Sequence, residues 1–299
     1  MCEKPAVANR AGSCLGDLLF PRPFGLHRSY ARGDKAQIHE RRDVKLVGRY
    51  PTTLPGNQTA QDEAYGEGLA AYFDNSIGDT VDKLLNFPKY VPQPALNRFL
   101  CRHLLFQRIL KVHGSILECG VHLGGGLMSW AQLSAIYEPL NHVRKIIGFD
   151  TFQGFATVHE KDRPGTSSEP VGKGALAAPA LDDLREAVRL YDLGRTLAHI
   201  PKVDLVAGDA CETIPKYLGD NPHLVIALLY LDFDVYEPTK TALQTFLPRM
   251  PKGAVLVFDE LAVQQWPGET LAAVEVVGLH NLKLRRIPHH PQISYTVLE

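Results

Sequence analysis

The sequence feature that most constrains this chain is a glycine-rich stretch near its centre, residues 116–126. A short apolar run ends in Glu118, four glycines then fall within seven residues, and apolar residues at helical spacing follow from Leu127. This order predicts a strand, a tight turn and a helix. Glycines at such a turn let the backbone bend sharply and let a ligand approach the amides that open the helix. The dinucleotide pattern G-x-G-x-x-G does not fit, because Ser129 stands where its third glycine belongs, and the stretch instead reads E-x-G-x-x-x-G from Glu118 to Gly124.

From residue 115 onward the sequence alternates between strand and helix patterns. Five parallel strands are predicted at residues 116–118, 145–150, 203–206, 224–231 and 254–258, and two more strands in the tail at 282–286 and 293–298. Helices are predicted at residues 97–112, 127–136, 181–193, 239–247 and 269–279. The chain is therefore expected to be an α/β protein with a right-handed, doubly wound, seven-stranded and mostly parallel Rossmann-like sheet.

The chain is expected to divide into three segments. Residues 1–60 are predicted to form an irregular basic arm, residues 61–95 a cap of short helical pieces broken by prolines, and residues 96–299 the main domain. Residues 1–50 hold ten Lys and Arg against five Asp and Glu. Such an arm is either solvated and partly disordered or in contact with a phosphate-bearing substrate or a neighbouring subunit. The polar insertion up to residue 179 is predicted to be a mobile loop or lid.

Composition narrows the range of partners. The formal net charge of −1 argues against nucleic acid as the main partner. The sequence contains no apolar run of about 18 residues, which argues against a membrane-spanning segment, and its first residues lack the apolar region of a signal peptide. The five cysteines are scattered without a C-x-x-C pair, as in a reduced protein without a cysteine metal site. A cytoplasmic location is expected.

Acidic residues follow all five predicted parallel strands. They are Glu118, Asp150, Asp209, Asp232 and Asp259. A single acid at such a position is often only a helix N-cap. Because the carboxyl ends of parallel strands meet at one edge of the sheet, where ligands bind in open α/β folds, five acids there predict a ligand site.

Six sequence blocks resemble the macrocin O-methyltransferase family, a group of class I S-adenosylmethionine (SAM) methyltransferases. The blocks are residues 118–126, 149–155, 208–215, 229–239, 258–260 and 266–270, and they occur in the family's order and spacing. The resemblance covers roughly residues 95–280. It implies a Rossmann-like methyltransferase sheet, SAM as methyl donor, Mg²⁺, and homo-oligomers that methylate a hydroxyl of a sugar or glycosylated natural product.

The chemistry of SAM suggests which residues bind it. A carboxylate beyond the second strand, Asp150, can accept from both ribose hydroxyls. Asp209 can accept from the adenine amine, while Glu118 and the amides near the glycines can hold the amino-acid tail. The predicted donor site comprises Glu118, Gly120, Gly124, Asp150, Thr151, Gly208, Asp209 and Ala210. Helix capping is the alternative for Asp150 and Asp209.

The resemblance also implies a metal site. It makes Asp232 a ligand and candidate general base, and Asp259 a second ligand. Glu260 stands where the family usually has another aspartate, so the third ligand is either Glu260 or Asp234, unless Asp234 caps the following helix. Oxygen ligands of this kind suit Mg²⁺. A bound cation lowers the pKa of a substrate hydroxyl and orients its oxygen for attack.

For several residues, and for the function itself, the sequence allows more than one interpretation. His122 is either a second candidate base or an ordinary loop residue, and Trp266 either shapes the acceptor pocket or anchors the last helix. The tail residues His280, His289 and His290 are expected on the surface. Two rivals to methyl transfer stay open: a nucleotide-dependent oxidoreductase on a similar sheet, and a non-catalytic SAM-binding scaffold.

Overall fold

A seven-stranded sheet forms the centre of the molecule. The computed structural model describes residues 59–163 and 172–299. The strands are β1 (Ser115–Cys119), β2 (Ile146–Asp150), β3 (Val203–Ala207), β4 (Ile226–Leu231), β5 (Val255–Phe258), β6 (Arg285–Arg286) and β7 (Ser294–Val297). Their order in the sheet is β3-β2-β1-β4-β5-β7-β6. Strands β1 to β5 are parallel, and β7 runs antiparallel between β5 and β6. The predicted seven-stranded, mostly parallel α/β sheet is confirmed.

Helices cover both faces of this sheet. The described α-helices are α1 (Ala60–Asn75), α2 (Thr80–Leu85), α3 (Gln93–Ile109), α4 (Gly125–Tyr137), α5 (Leu181–Gly194), α6 (Ala210–Asp220), α7 (Tyr236–Phe246) and α8 (Pro267–Val276). Helices α3, α4 and α5 contribute to one hydrophobic core, whereas α6, α7 and α8 contribute to the other. The sheet is therefore doubly wound.

Strand burial explains the long apolar runs in the sequence. Successive side chains of a strand point to opposite faces, so Ile116 lies in the core beneath α3 and α4 while Leu117 lies in the core beneath α6 and α7. Every residue of β4 is buried. A parallel strand covered by helices on both faces requires such a continuous run of apolar residues.

The helices differ from the predicted pattern in several places, among them α3 and α8, which begin and end earlier than the predicted 97–112 and 269–279. Helix α6 was not predicted, although Ala210 and Ile214 bury one face of it and Pro215 lies inside it. Helix α1 spans 16 residues, far more than the short piece expected, and Thr59 opens it with a capping box. Helix α7 begins at Tyr236 rather than at residue 239. The apolar residues of α1 have weak periodicity, so its capping box helps to set where it begins. Helices α6 and α7 instead each bury one apolar face against the core.

Parts of the predicted organisation lie outside the described residues. These parts are the basic arm up to residue 58 and residues 164–171 of the predicted lid. The boundaries 1–60, 61–95 and 96–299 stay predictions. Among residues 59–163 and 172–299, no helix is both long and apolar enough to cross a membrane.

Candidate active site

The glycine turn between β1 and α4 brings two strand ends into close contact. Gly120 has a φ of 97°, and a Cβ placed on it would lie 1.9 Å from the backbone oxygen of Asp232. The amide of Asp232 donates to the carbonyl of Cys119 at 2.7 Å. Only glycine fits a left-handed position with the neighbouring backbone this close. The turn therefore fixes the end of β1 directly against the end of β4.

Asp150, at the end of β2, holds the same turn in place. Its Oδ2 accepts from the amides of Val121 and His122, both at 2.7 Å, and its Oδ1 accepts from the amide of Phe152 at 2.7 Å. The helix-cap alternative for Asp150 is wrong, because these amides belong to turns rather than to a helix N-terminus. Each carboxylate oxygen can accept two hydrogen bonds, so the carboxylate retains one acceptor position on Oδ1 for a ligand hydroxyl.

Glu118 forms a buried ion pair beneath the turn. Its Oε1 accepts from Arg102 Nη2 at 2.9 Å, and the two side chains are only 2% and 6% exposed. Burial raises the pKa of Glu118, and the guanidinium of Arg102 partly offsets that rise. Glu118 Oε2 is buried and has no hydrogen-bond partner among the described residues. An unsatisfied buried acceptor of this kind is costly, and a cationic ligand group would satisfy it.

The end of β3 supplies the far side of the site. Asp209 caps α6 by accepting from the amide of Cys211 at 2.9 Å. The capping alternative therefore holds for Asp209, although this bond uses only Oδ1. Gly208 has a φ of 135°. Gly124 has a different role, because a Cβ there would lie 2.0 Å from Cδ2 of Leu184, so this glycine permits close packing of α5.

Three carboxylates meet where β4 and β5 end. One oxygen each from Asp232, Asp259 and Glu260 lies within 4.8 Å of the others. Burial raises the pKa of Asp232 and of Glu260 well above the usual range, and the charge of Asp259 adds to both shifts. Asp234 lies beside them, and burial raises its pKa to about 7. The cluster thus crowds carboxyl groups into a poorly solvated space, where their neutral forms are favoured unless a cation lies nearby.

Arg98 of α3 supplies positive charge to this cluster. Its Nη2 donates to Asp259 Oδ2 at 2.7 Å and its Nη1 to Asp259 Oδ1 at 3.2 Å, and Nη1 lies 3.9 Å from Asp232 Oδ2. The hydroxyl of Tyr230 also donates to Asp259. Burial would raise the pKa of Asp259, but Arg98 and Tyr230 hold it below its usual range. Asp259 is therefore the ionised member of the cluster.

Glu269 positions the backbone of the cluster from α8. Its Oε1 accepts from the amide of Glu260 at 3.0 Å, and the residue is fully buried. Its Oε2 has no hydrogen-bond partner among the described residues. Glu269 thus fixes the chain where β5 ends, without touching the cavity itself.

One cavity of about 750 Å³ joins these parts. Seven of the eight predicted donor-site residues line it, namely Glu118, Gly120, Asp150, Thr151, Gly208, Asp209 and Ala210. Its other end is lined by Asp232, Asp234 and Glu260, together with Arg98. Asp259 is fully buried behind the guanidinium. Pockets of this size hold drug-sized ligands, so the cavity has room for a nucleoside-bearing donor and part of an acceptor.

Comparison with known proteins identifies the family. The model of the macrocin O-methyltransferase family matches residues 105–275, more than half of the chain. The chain belongs to the macrocin O-methyltransferase family. This family consists of O-methyltransferases, which confirms the predicted class of enzyme.

The chain is similar to individual methyltransferases that act on sugar-bearing molecules or on natural products, as their names state. The chain is 27% identical, over 160 residues, to a Streptomyces olivaceus 8-demethyl-8-(2,3-dimethoxy-alpha-L-rhamnosyl)-tetracenomycin-C 4'-O-methyltransferase. That match covers 51% of the chain and about half, 54%, of the relative's length. The crystal structure of the calicheamicin methyltransferase CalS11 is 35% identical, with a TM-score of 0.76 over 80% of this chain and 93% of the other. An apo structure of the same enzyme, described as a TDP-rhamnose 3'-O-methyltransferase, is 33% identical with a TM-score of 0.70, over 80% and 95% of the two chains.

The carboxylate cluster of this family member fits a hard divalent cation. Asp232, Asp259 and Glu260 offer oxygen ligands within one small volume, and such ligands suit Mg²⁺. Glu260 Oε2 is buried and has no hydrogen-bond partner among the described residues, so an acceptor is available for an ion. Glu260 thus reaches the cluster although its side chain is longer than that of the usual aspartate. The cap alternative for Asp234 is wrong, because α7 has no side-chain cap.

The remaining predicted residues have mixed outcomes. His122 lines the cavity with a φ of 51° and is exposed. Trp266 lines it too and packs edge-on against Phe155 at 5.8 Å between ring centroids. The surface prediction is wrong for His290, which is only 7% exposed because its Nδ1 accepts from the amides of Gln292 and Ile293.

Sequence reasoning missed two basic residues of the site. Arg98 and Arg102 lie four positions apart on α3, on the face that also carries the buried Cys101 and Leu105. Basic residues on the apolar face of an amphipathic helix imply buried acidic partners. The sequence contained that signal, but the pairing with Asp259 and Glu118 depends on the fold.

Proposed function

We propose that this chain transfers a methyl group from SAM to a sugar hydroxyl, with Mg²⁺ held at the carboxylate cluster. The observation that carries the proposal is the single cavity that links Glu118 and Asp150 with Asp232 and Glu260. One end of the cavity offers oxygen atoms that can accept hydrogen bonds from SAM. The other end offers oxygen ligands for a cation. The family assignment supports SAM as the donor.

The end of the cavity near Glu118 and Asp150 fits SAM through its hydrogen-bonding carboxylates. The buried Oε2 of Glu118 lacks a hydrogen-bond partner among the described residues and suits the ammonium of the amino-acid tail. Asp150 has one acceptor position left, enough for one ribose hydroxyl rather than for both as predicted, and Asp209 has positions left for the adenine amine. Gly120, Thr151, Gly208 and Ala210 line the cavity with little side-chain bulk, while Gly124 supports the turn from behind.

At the reacting end, Asp232, Asp259 and Glu260 would hold the Mg²⁺. When bound, the ion lowers the pKa of the acceptor hydroxyl and orients its oxygen. Asp232 is placed to take the proton as the oxygen attacks the methyl carbon and the electron pair of the carbon–sulfur bond passes to sulfur. Asp232 lines the cavity at the end of β4, where its carboxylate would face the acceptor hydroxyl as a general base. His122 is a second candidate base, because it also lines the cavity.

The names of two relatives suggest which kind of molecule receives the methyl group. The tetracenomycin relative is named for a rhamnosylated acceptor, and the calicheamicin relative for TDP-rhamnose. We therefore expect a sugar hydroxyl, carried either by a nucleotide sugar or by a glycosylated natural product. Phe155 and Trp266 give the cavity an aromatic wall, a surface that suits an apolar sugar face or aglycone.

Transfer of labelled methyl from SAM tests the proposal. TDP-rhamnose, a rhamnosylated aromatic polyketide and its aglycone would be offered in parallel. Label on at least one sugar-bearing acceptor and none on the aglycone is expected. Label on the aglycone alone would refute the sugar acceptor, and no label on any acceptor despite SAM binding would favour the scaffold alternative. Fluorescence titration with NADH separates the oxidoreductase alternative, for which saturable binding is required.

The metal has its own test. Loss of transfer in EDTA, restored by Mg²⁺, is expected, together with loss in Asp232→Asn. Transfer that survives both treatments would refute the metal role. His122→Asn is the companion variant, since asparagine tolerates a positive φ. A rate unchanged in this variant would leave Asp232 as the base.

Oligomer formation and a cytoplasmic location complete the proposal. Helix α2 and its flanks leave Ile77, Val81, Leu84 and Leu85 largely exposed, an apolar surface that suits a second copy of the chain. Sedimentation equilibrium would refute the oligomer if the full chain remained monomeric at micromolar concentration. The cytoplasmic location rests on the reduced, scattered cysteines, and fractionation of expressing cells tests it.

A further inference from the structure

The position of Arg98 in the carboxylate cluster has a consequence for metal binding. Its guanidinium grips both oxygens of Asp259 and lies 3.9 Å from Asp232. These are two of the three carboxylates that converge at the candidate metal site. A cation of the protein itself therefore already contacts the groups that a metal would use.

The acceptor positions of Asp259 are nearly filled. A carboxylate offers about four such positions. Arg98 occupies two of them and the hydroxyl of Tyr230 occupies a third. A divalent ion shared by Asp232 and Asp259 would thus lie directly against the guanidinium. Two cations in contact within a poorly solvated cluster repel each other strongly.

The two arginines of α3 differ in their freedom to move. The Arg102 side chain is 6% exposed, paired to Glu118 and packed against the rings of Trp130 and Tyr230. The Arg98 side chain is 38% exposed and borders the cavity. Arg98 can withdraw its head group into the cavity while its stem stays in place, whereas Arg102 has no such space.

We propose that Arg98 is an exchangeable counter-cation. It neutralises Asp259 and lies beside Asp232 in the metal-free protein, and it withdraws from Asp259 when a divalent ion binds. This inference rests on the proposed function, because it takes the metal site as given. It makes Arg98 a positioning residue that sets the affinity for the metal.

Loss of the guanidinium then has two opposite effects. Without metal, the cluster lacks its counter-charge, so the protein becomes less stable. With metal, no competitor has to be displaced, so the ion binds more tightly, since apparent affinity falls with the fraction of protein in the binding-competent state. An arginine with a merely structural role would weaken both properties together.

Manganese binding to the full chain, followed by electron paramagnetic resonance, tests this inference. Arg98→Gln is expected to bind Mn²⁺ about tenfold or more tightly than the wild type. In EDTA this variant is expected to have a lower melting temperature than the wild type. Saturating Mn²⁺ is expected to raise its melting temperature by more than it raises that of the wild type. Arg108→Gln is the matched control, because Arg108 is exposed on the same helix and faces the ring of Tyr295. It is expected to bind Mn²⁺ like the wild type.

Each contrary outcome has a separate meaning. Equal or weaker Mn²⁺ binding by a folded Arg98→Gln variant, with normal binding by the wild type, would overturn the inference and leave the metal site intact. Absence of binding in the wild type and both variants would overturn the metal site of the proposed function, and the inference with it.

Addition of a free guanidinium group separates direct competition from the general effect of charge. Methylguanidinium is expected to weaken Mn²⁺ binding to Arg98→Ala, because it can occupy the vacated position on Asp259. Tetramethylammonium at the same concentration has the same charge but no N–H donors. Equal effects of the two salts would overturn direct competition.

Discussion

Two adjacent glycines of α4 are expected to respond in opposite directions to the same substitution. A Cβ on Gly126 would lie 2.0 Å from Glu118 Oε1 and 2.3 Å from Arg102 Nη2. A Cβ on Gly125 would meet no atom of residues 59–163 or 172–299 within 4 Å. Because both glycines lie in the first turn of α4, Gly125→Ala is a matched control for Gly126→Ala.

The magnitude follows from the buried ion pair. The Gly126→Ala methyl group must displace the carboxylate or the guanidinium, and breaking such a buried pair costs about 3–5 kcal/mol. The gain of alanine over glycine in a helix offsets about 0.5–1 kcal/mol of this loss. The free energy of unfolding should therefore fall by about 2–4 kcal/mol, which lowers the melting temperature by roughly 4–16 °C in a domain of this size.

Urea unfolding and calorimetry without ligand measure this difference. Gly125→Ala is expected within about 1 kcal/mol of the wild type, on the stabilising side. Equal stabilities of the two variants would refute the reasoning, because the Glu118–Arg102 pair would then be able to move without cost.

Three further outcomes are expected. Asp150→Asn should weaken binding of S-adenosylhomocysteine about tenfold or more in calorimetry, because the anion that orders the glycine turn is lost; unchanged affinity would contradict this role. Gly120→Ala should abolish soluble folded protein, since its methyl would overlap the Asp232 backbone, whereas Gly219→Ala, with open space around it, should fold normally. Burial lowers the pKa of Lys202 to about 8, so between about pH 8 and pH 10 the unfolded chain binds a proton that the folded chain does not, and the stability contributed by this group rises with pH. In urea titrations, Lys202→Met should lose about 1 kcal/mol or more of that rise in the free energy of unfolding. An equal rise in both proteins would contradict the prediction.

The sequence predicted the centre of the sheet well because β1, β4 and β5 are buried on both faces. A strand such as β4 must be apolar throughout, and that constraint appears directly in the residues. Helix α6 escaped prediction because it contains Pro215, a residue unfavourable inside a helix, although Asp209 caps it and Ile214 packs in the core. Local propensity is a weak guide where packing supplies the stability.

The carboxylates of the site were predictable, but the cations were not. Asp232 and Asp259 follow strands, so topology alone brings them together at one edge of the sheet. Arg98 reaches them from a helix that precedes the sheet by sequence, and nothing in its spacing names a partner more than a hundred residues away. The role of Gly120 follows from the approach of the Asp232 backbone, which also depends on the packed sheet.

The most direct test of the central claim is a crystal structure with S-adenosylhomocysteine and Mn²⁺, using anomalous scattering to locate the metal. We expect the amino group of the ligand at Glu118, its ribose at Asp150, and an anomalous peak touching Asp232 and Glu260 in the same cavity. A ligand bound elsewhere, or saturating Mn²⁺ with no peak at these carboxylates, would contradict it.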